Sequence, residues 1–199
     1  MTMKVNEIFY SLQGEGFYSG TPSVFVRFSG CNLRCPFCDT QHESGTEMTE
    51  EAIVSEVCQY PARHVVVTGG EPALQLTASL VDKLHGAGKY VAVETNGTRP
   101  LPDNVDWITL SPKHSFVGSQ AMPVITRADE AKVIYDGIHD PSSQCRSLAA
   151  TTVERLFLQP CDTGDPARNT AIVQAAIDYV KQNPQWRLSL QIHKILDIR

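Results

Sequence analysis

Three cysteines within eight residues, Cys31-Asn-Leu-Arg-Cys35-Pro-Phe-Cys38, form the densest set of soft ligands in the chain. They follow the apolar run Val24-Phe-Val-Arg-Phe28 with only Ser29-Gly30 between, so they fall on a loop at a strand end. There, side chains turn toward one small object more easily than on a helix or strand. Structural zinc takes four protein ligands, usually as two closely spaced pairs, and C-x3-C-x2-C has no fourth Cys or His pair nearby. A four-iron cubane held by thiolates would keep one iron open to a group that is not protein. The spacing points to an iron–sulfur reaction centre. A partial zinc knuckle, or one disulfide with a spare thiol, are the other readings of the same residues.

Polar residues recur where other apolar runs stop. Val65-Val-Val-Thr68 runs into Gly69-Gly70-Glu71-Pro72, whose glycines let a ligand approach the backbone closely. A tight turn opening a helix is the plainer alternative. Val91-Ala-Val-Glu94, Trp107-Ile-Thr-Leu-Ser111-Pro-Lys113 and Leu156-Phe-Leu-Gln159-Pro160 end in the same manner. Proline after a strand end stiffens the turn, which holds the preceding polar residue in place. Arg27 lies inside an apolar run, where a guanidinium without an anion is costly. Either it faces solvent at a sheet edge, or it awaits a carboxylate.

The elements that must position these residues follow from periodicity. Apolar and β-branched runs at Val5–Tyr10, Val24–Phe28, His64–Thr68, Tyr90–Thr95, Trp107–Leu110, Ala131–Tyr135, Arg155–Gln159 and Leu188–His193 are expected to be strands. The central ones are almost continuously apolar, as strands buried on both faces of a parallel sheet are. Helical patterns are expected at Thr49–Cys58, with Ile53, Val54, Val57 and Cys58 on one stripe, and at Leu74–His85 and Thr170–Lys181, with a weaker one at Ser142–Val153. The stretches 96–106 and 112–126 are broken by prolines and Gly118. Alternating strands and helices argue an α/β fold. The expectation is an incomplete (β/α)6 barrel with reduced helix content, in one domain over residues 1–199, with chemistry at the C-terminal strand ends. A barrel wall short of helices favours cover by a second copy, hence a homodimer.

A chain of 199 residues with 42% apolar residues can bury a sizeable core. A net charge of −5 disfavours nucleic acid as a partner. No run is long enough to span a bilayer and the N-terminus lacks a secretory pattern, so a cytoplasmic setting is expected. Reduced thiols suit that setting, with Cys58, Cys145 and Cys161 expected as small buried hydrophobes.

The cluster loop with the strand before it and the Gly-rich motif after it resembles the radical S-adenosylmethionine superfamily. Ser11-Leu-Gln-Gly-Glu-Gly16, Arg27, Cys31–Thr40, Val67-Thr-Gly-Gly-Glu-Pro72, Glu94-Thr-Asn-Gly97, Ser111-Pro-Lys113, Gln159-Pro160 and the closing Gln191-Ile-His-Lys resemble, over nearly the whole chain, the 7-carboxy-7-deazaguanine synthase family. The resemblance implies a lyase-type radical ring contraction of 6-carboxy-5,6,7,8-tetrahydropterin with loss of ammonia. It implies a [4Fe–4S] cluster on Cys31, Cys35 and Cys38, and S-adenosylmethionine along Phe37, Cys38, Asp39, Gly70, Ser111, Pro112, Lys113, Gln159, Pro160, Cys161 and Asp162. It further implies Mg2+ at Thr40 and substrate contacts from Leu12, Gln13, Gly14, Arg27, Thr68 and Arg199, with Glu15, Glu94 and His193 as further candidates. A flavodoxin- or ferredoxin-like protein would supply electrons. The rivals are a radical activase acting on a partner protein, which has no need of Leu12-Gln-Gly-Glu-Gly16, and a zinc-bound interaction module.

Overall fold

The computed structural model describes residues 2–146, 148 and 150–199. The apolar runs become one nine-stranded sheet: β1 (Thr2–Leu12), β2 (Pro22–Phe28), β3 (Thr46–Thr49), β4 (His64–Gly69), β5 (Tyr90–Thr95), β6 (Trp107–Leu110), β7 (Arg127–Tyr135), β8 (Thr152–Pro160) and β9 (Trp186–Leu188). Their order is β3-β1-β2-β4-β5-β6-β7-β8-β9. From β2 onward every pairing is parallel, and β1 joins β2 and β3 antiparallel. The six expected parallel strands are β2 and β4–β8, in an open sheet rather than a closed barrel. In the antiparallel flank, β1 contains the expected run Val5–Tyr10, whereas its pairing direction and the strand β3 are additions that sequence periodicity did not show. Thr46-Glu-Met-Thr49 is a short, mostly exposed edge strand with no apolar alternation to announce it.

Helices α1 (Glu50–Val57) and α2 (Ala78–Gly86) cover one part of the outer face, and α5 (Pro166–Gln182) another. Thr49, Thr77 and Asp165 cap them, each side-chain oxygen accepting from backbone N–H groups of the first turn. The main core lies between this face and α1–α2, with Val24, Val26, Phe28, Val65, Val67, Val91 and Val93 packed on Ile53, Val57, Leu80 and Leu84. Between β6 and β7 there is only the four-residue α3 (His114–Val117) and a 3-10 turn, and the β5–β6 connection has no helix. That fits the proline-broken stretches.

Three expectations need correction. Leu188–His193 is not one strand: β9 ends at Leu188, and Ile192–Leu196 forms the short helix α6, because the chain leaves the sheet edge to cross the sheet's C-terminal end, where Ile192 N donates to Gly14 O at 3.0 Å. The weak helix over Ser142–Val153 is confined to α4 (Pro141–Arg146), β8 beginning already at Thr152; its positions 147 and 149 lie outside the described residues. Cys58 is exposed, because α1 stops one residue earlier and leaves it at the cap, off the buried stripe, whereas Cys145 is half-buried and Cys161 buried.

The inward face is built in tiers set by register. Phe25, Val66, Ala92 and Trp107 are aligned across neighbouring strands and form, with Phe9, an aromatic plug. One tier nearer the C-terminal ends come Arg27, Thr68, Glu94, Thr109, Glu130 and Arg155. Two-residue alternation then puts Lys132 and Gln159 on the same side. The plug closes the bottom, so the polar tiers can face only the C-terminal mouth.

Candidate active site

The strand ends and cluster loop surround one cavity of about 720 Å³. Cys31, Cys35 and Cys38 all line it, as free thiols. Burial pushes the Cys31 thiol up, aided by Glu71 and Cys38. Burial does the same to Cys35, opposed by Lys113 and aided by the other two cysteines. Thiols raised as Cys31 and Cys35 are become thiolates readily only when a cation joins them. Among the described residues no three His, Cys, Asp or Glu side chains close around a single ion. In a cubane each thiolate would meet a different iron, and three thiols lining one cavity fit that need.

Backbone packing fixes that loop. Gly30 N donates to His42 O at 2.7 Å, Gly70 N to Phe28 O at 3.1 Å and Glu71 N to Gly30 O at 2.9 Å. A Cβ at Gly70 would lie 1.9 Å from the Gly30 carbonyl oxygen, so this glycine is required by loop-on-loop contact in addition to any ligand. Glu71, whose carboxyl burial raises, does not line the cavity. It accepts from Thr95 Oγ1 at 2.7 Å and Asn96 N at 2.8 Å, tying the Gly-rich turn to the end of β5.

The floor is a charged network. Lys132, 4% exposed, pairs with Glu15 and lies 3.5 Å from Glu94. Gln13 Nε2 donates to Glu94 Oε1 at 3.0 Å, Thr68 Oγ1 to Glu94 Oε2 at 3.4 Å and Gln191 Nε2 to Glu15 Oε1 at 2.9 Å. Burial alone would raise Glu15, but the charge and hydrogen bond of Lys132, with help from Gln191 and His193, bring it down to about 2. Burial likewise opposes the charge on Lys132, and Glu15 and Glu94 overcome it, holding its pKa above the usual lysine range.

A second charged group stands at the β1–β2 side, where Arg27 Nε meets Glu7 Oε1 at 2.9 Å and Arg199 pairs with the same carboxylate. The guanidinium carbons lie 5.9 and 4.8 Å from the Phe9 ring centroid. Arg27 is thus neither free in solvent nor without an anion. On the opposite side Lys194 of α6 bridges Asp39 at 3.0 Å and Asp162 at 2.9 Å, and its hydrogen bond holds Asp162 at about 2. Phe37 stacks edge-on against Phe116 at 4.7 Å, with the Lys113 ammonium 5.4 Å from its centroid. Burial depresses Lys113, and its Nζ donates to Ser111 Oγ at 2.5 Å.

Every residue assigned from the sequence to the cluster, S-adenosylmethionine, Mg2+ or substrate lines this cavity except Pro112, which is buried. Leu12, Gln13, Gly14 and Glu15 come from the end of β1, Thr68 and Gly70 from β4, Glu94 from β5, Ser111 and Lys113 from β6, Gln159 to Asp162 from β8, and His193 from α6. Thr40 is half-buried just past the cysteines. A Cβ on Gly14 would meet His193 Nδ1 at 2.2 Å, so the glycine makes room for the closing helix.

Residues 25–115 match the radical SAM superfamily. Over its full length, and theirs, the chain is 53% identical to the 7-carboxy-7-deazaguanine synthase of Bacteroides thetaiotaomicron and 42% identical to that of Burkholderia multivorans. The chain belongs to the 7-carboxy-7-deazaguanine synthase family. The crystal structure of QueE from Escherichia coli, at 30% identity, superposes with a TM-score of 0.78 over 96% of this chain and 94% of that one. Streptococcus suis SuiB bound to S-adenosylmethionine shares the fold, with a TM-score of 0.53 at 14% identity over 80% of this chain and 48% of that one.

For this member of the 7-carboxy-7-deazaguanine synthase family, sequence reasoning overlooked Lys132 and Glu7, and took Gln191 and Lys194 only as part of the closing motif, without a role. Lys132 sits in the otherwise apolar run Ala131–Tyr135, the pattern that singled out Arg27, and the same argument would have found it. Glu7 carries no such signal.

Proposed function

We propose that this chain converts 6-carboxy-5,6,7,8-tetrahydropterin to 7-carboxy-7-deazaguanine with loss of ammonia, a step of 7-deazapurine (queuosine precursor) biosynthesis. The observation that carries the reading is the meeting of the three thiols, the Gly-rich turn and the charged floor in one cavity. Cys31, Cys35 and Cys38 hold a [4Fe–4S] cluster, beside which Phe37, Asp39, Gly70, Ser111–Lys113 and Gln159–Asp162 seat S-adenosylmethionine. When bound, the two would supply one-electron chemistry able to abstract hydrogen from the pterin.

The chain's own share is binding, orientation and exclusion of water. Ionised Glu15 and Glu94 are acceptor-only groups, which suits the N–H-rich edge of a pterin, and Gln13, Thr68 and His193 surround them. Arg27 and Arg199 stand where a carboxylate would dock, and Leu12 and Gly14 border the ring. Thr40 offers a hydroxyl to Mg2+, which prefers oxygen ligands and keeps several waters.

The whole chain acts as one domain in the cytoplasm, reduced by a flavodoxin- or ferredoxin-like donor. Among the described residues no helix is long and apolar enough to cross a membrane. Homodimerisation across the helix-poor connection between β6 and β7 is supported by exposed Met122 and Val124 there. Anaerobically reconstituted protein given reductant, S-adenosylmethionine and 6-carboxytetrahydropterin is expected to yield the deazaguanine mass, more with Mg2+ than without. Thr40→Ala should weaken that Mg2+ response. Cleavage of S-adenosylmethionine with no change in the pterin would refute the assignment.

A further inference from the structure

Glu7 reaches the cavity through an irregularity in β1. Val5 pairs with Phe28 and Glu7 with Arg27, so Asn6 is an extra residue against β2, a β-bulge. Strand side chains alternate, and Val5 belongs to the outer core. Without the bulge Glu7 would face outward with it; with the bulge it shares the inner face with Phe9 and lines the cavity. Bulges commonly re-aim a side chain next to an active site. This one is anchored: Asn6 Nδ2 donates to Ser44 O at 2.9 Å and to Ser44 Oγ at 3.1 Å, at the far end of the cluster loop.

The re-aimed carboxylate meets two guanidiniums at once, Arg27 and Arg199, both near the Phe9 ring. The Glu7 and Arg27 side chains are 28% and 22% exposed, so much of their charge is not screened by water. Glu7 cancels the charge of one of the two guanidiniums, so removing it would add one positive charge to this corner. Resting on the function proposed above, we propose that Glu7 is a specificity-determining residue: it tunes the arginine corner to a ligand with a single carboxylate and against one bearing a phosphate dianion. A cross-strand ion pair serving stability alone would need no bulge to bring it inside. Through its bond to Arg27 Nε, Glu7 also fixes the plane of that guanidinium, leaving the terminal nitrogens for the ligand.

The test is a charge series on the reconstituted holoenzyme, with 6-carboxypterin as fluorescent probe and acetate and inorganic phosphate as competitors above pH 7.5. Glu7→Gln should shift the phosphate-to-acetate preference toward phosphate by about tenfold or more. Arg199→Ala should shift it the opposite way, and Glu7→Asp should stay near wild type. Preferences within about twofold of one another in all four proteins would overturn the proposal. So would tighter 6-carboxypterin binding by Glu7→Gln with the preference unmoved, which would make Glu7 a mere competitor for the arginines. If Glu7→Gln does not fold, Glu7→Ser, which deletes the same charge, takes its place with the same expected shift. Wild-type protein that cleaves S-adenosylmethionine but binds no 6-carboxypterin would instead count against the proposed function. The anion preference would then be read from the shift each competitor makes in the thermal unfolding midpoint.

Discussion

Replacing Lys132 by methionine keeps the length of the side chain and deletes its charge from the cavity floor. Glu15 would be left buried without its counterion, and Glu94 without a cation 3.5 Å away. Removing one partner of a buried pair costs roughly 3–5 kcal/mol. The depression of Glu15 gives a comparable figure: from 4.5 to about 2 in a side chain only 14% exposed, or about 3 kcal/mol at 1.36 kcal/mol per unit. Against a total stability of about 5–15 kcal/mol the variant should fold but be visibly weakened. The pH dependence has a definite sign. In the wild type the folded pKa is depressed, so this stabilisation is complete above about pH 4.5 and is lost as pH falls toward about 2. In Lys132→Met burial is opposed only by Gln191 and His193, so the folded pKa rises and the penalty grows as pH rises. Urea unfolding at equal cluster loading should therefore show a smaller deficit at pH 5 than at pH 8, and adding Glu15→Gln should recover part of it. A loss under about 1 kcal/mol at pH 8, or the same loss at both pH values, would refute the reasoning.

Two further outcomes are expected. Gly70→Ala drives a Cβ against the Gly30 carbonyl, where backbone must move; it should cost about 1–3 kcal/mol and lower the iron retained per chain, measured by iron assay and absorbance near 400 nm. Lys194→Ala removes the bridge between Asp39 and Asp162, both largely exposed, so stability should change by less than about 1 kcal/mol. Its KM for S-adenosylmethionine should nonetheless rise several-fold, and an unchanged KM would show the bridge to be incidental.

Strands Tyr90–Thr95 and Trp107–Leu110 were legible to the residue, because a run buried on both faces stops where its apolar residues stop. The polar tips of β4, β5, β6 and β8 were legible for the same reason, and they account for much of the cavity wall. The position of Glu7 was not, since one inserted residue reverses which face a strand residue occupies and leaves no trace in composition. Nor was the edge strand β3, which exists because β1 offers it a partner. His193 could be reached only through the family resemblance: a lone histidine gains its place from α6 packing on Gly14, a contact between distant parts of the chain.

That crossing of α6 has a kinetic consequence. Gln191 reaches Glu15 across 176 positions of sequence, and Arg199 reaches Glu7 across 192, so the pocket is stitched from stretches far apart in the chain. Contacts of such long range form late and slowly. A ligand that touches both stretches therefore recognises only folded molecules, and by mass action it protects the complete fold while lending nothing to partly folded forms.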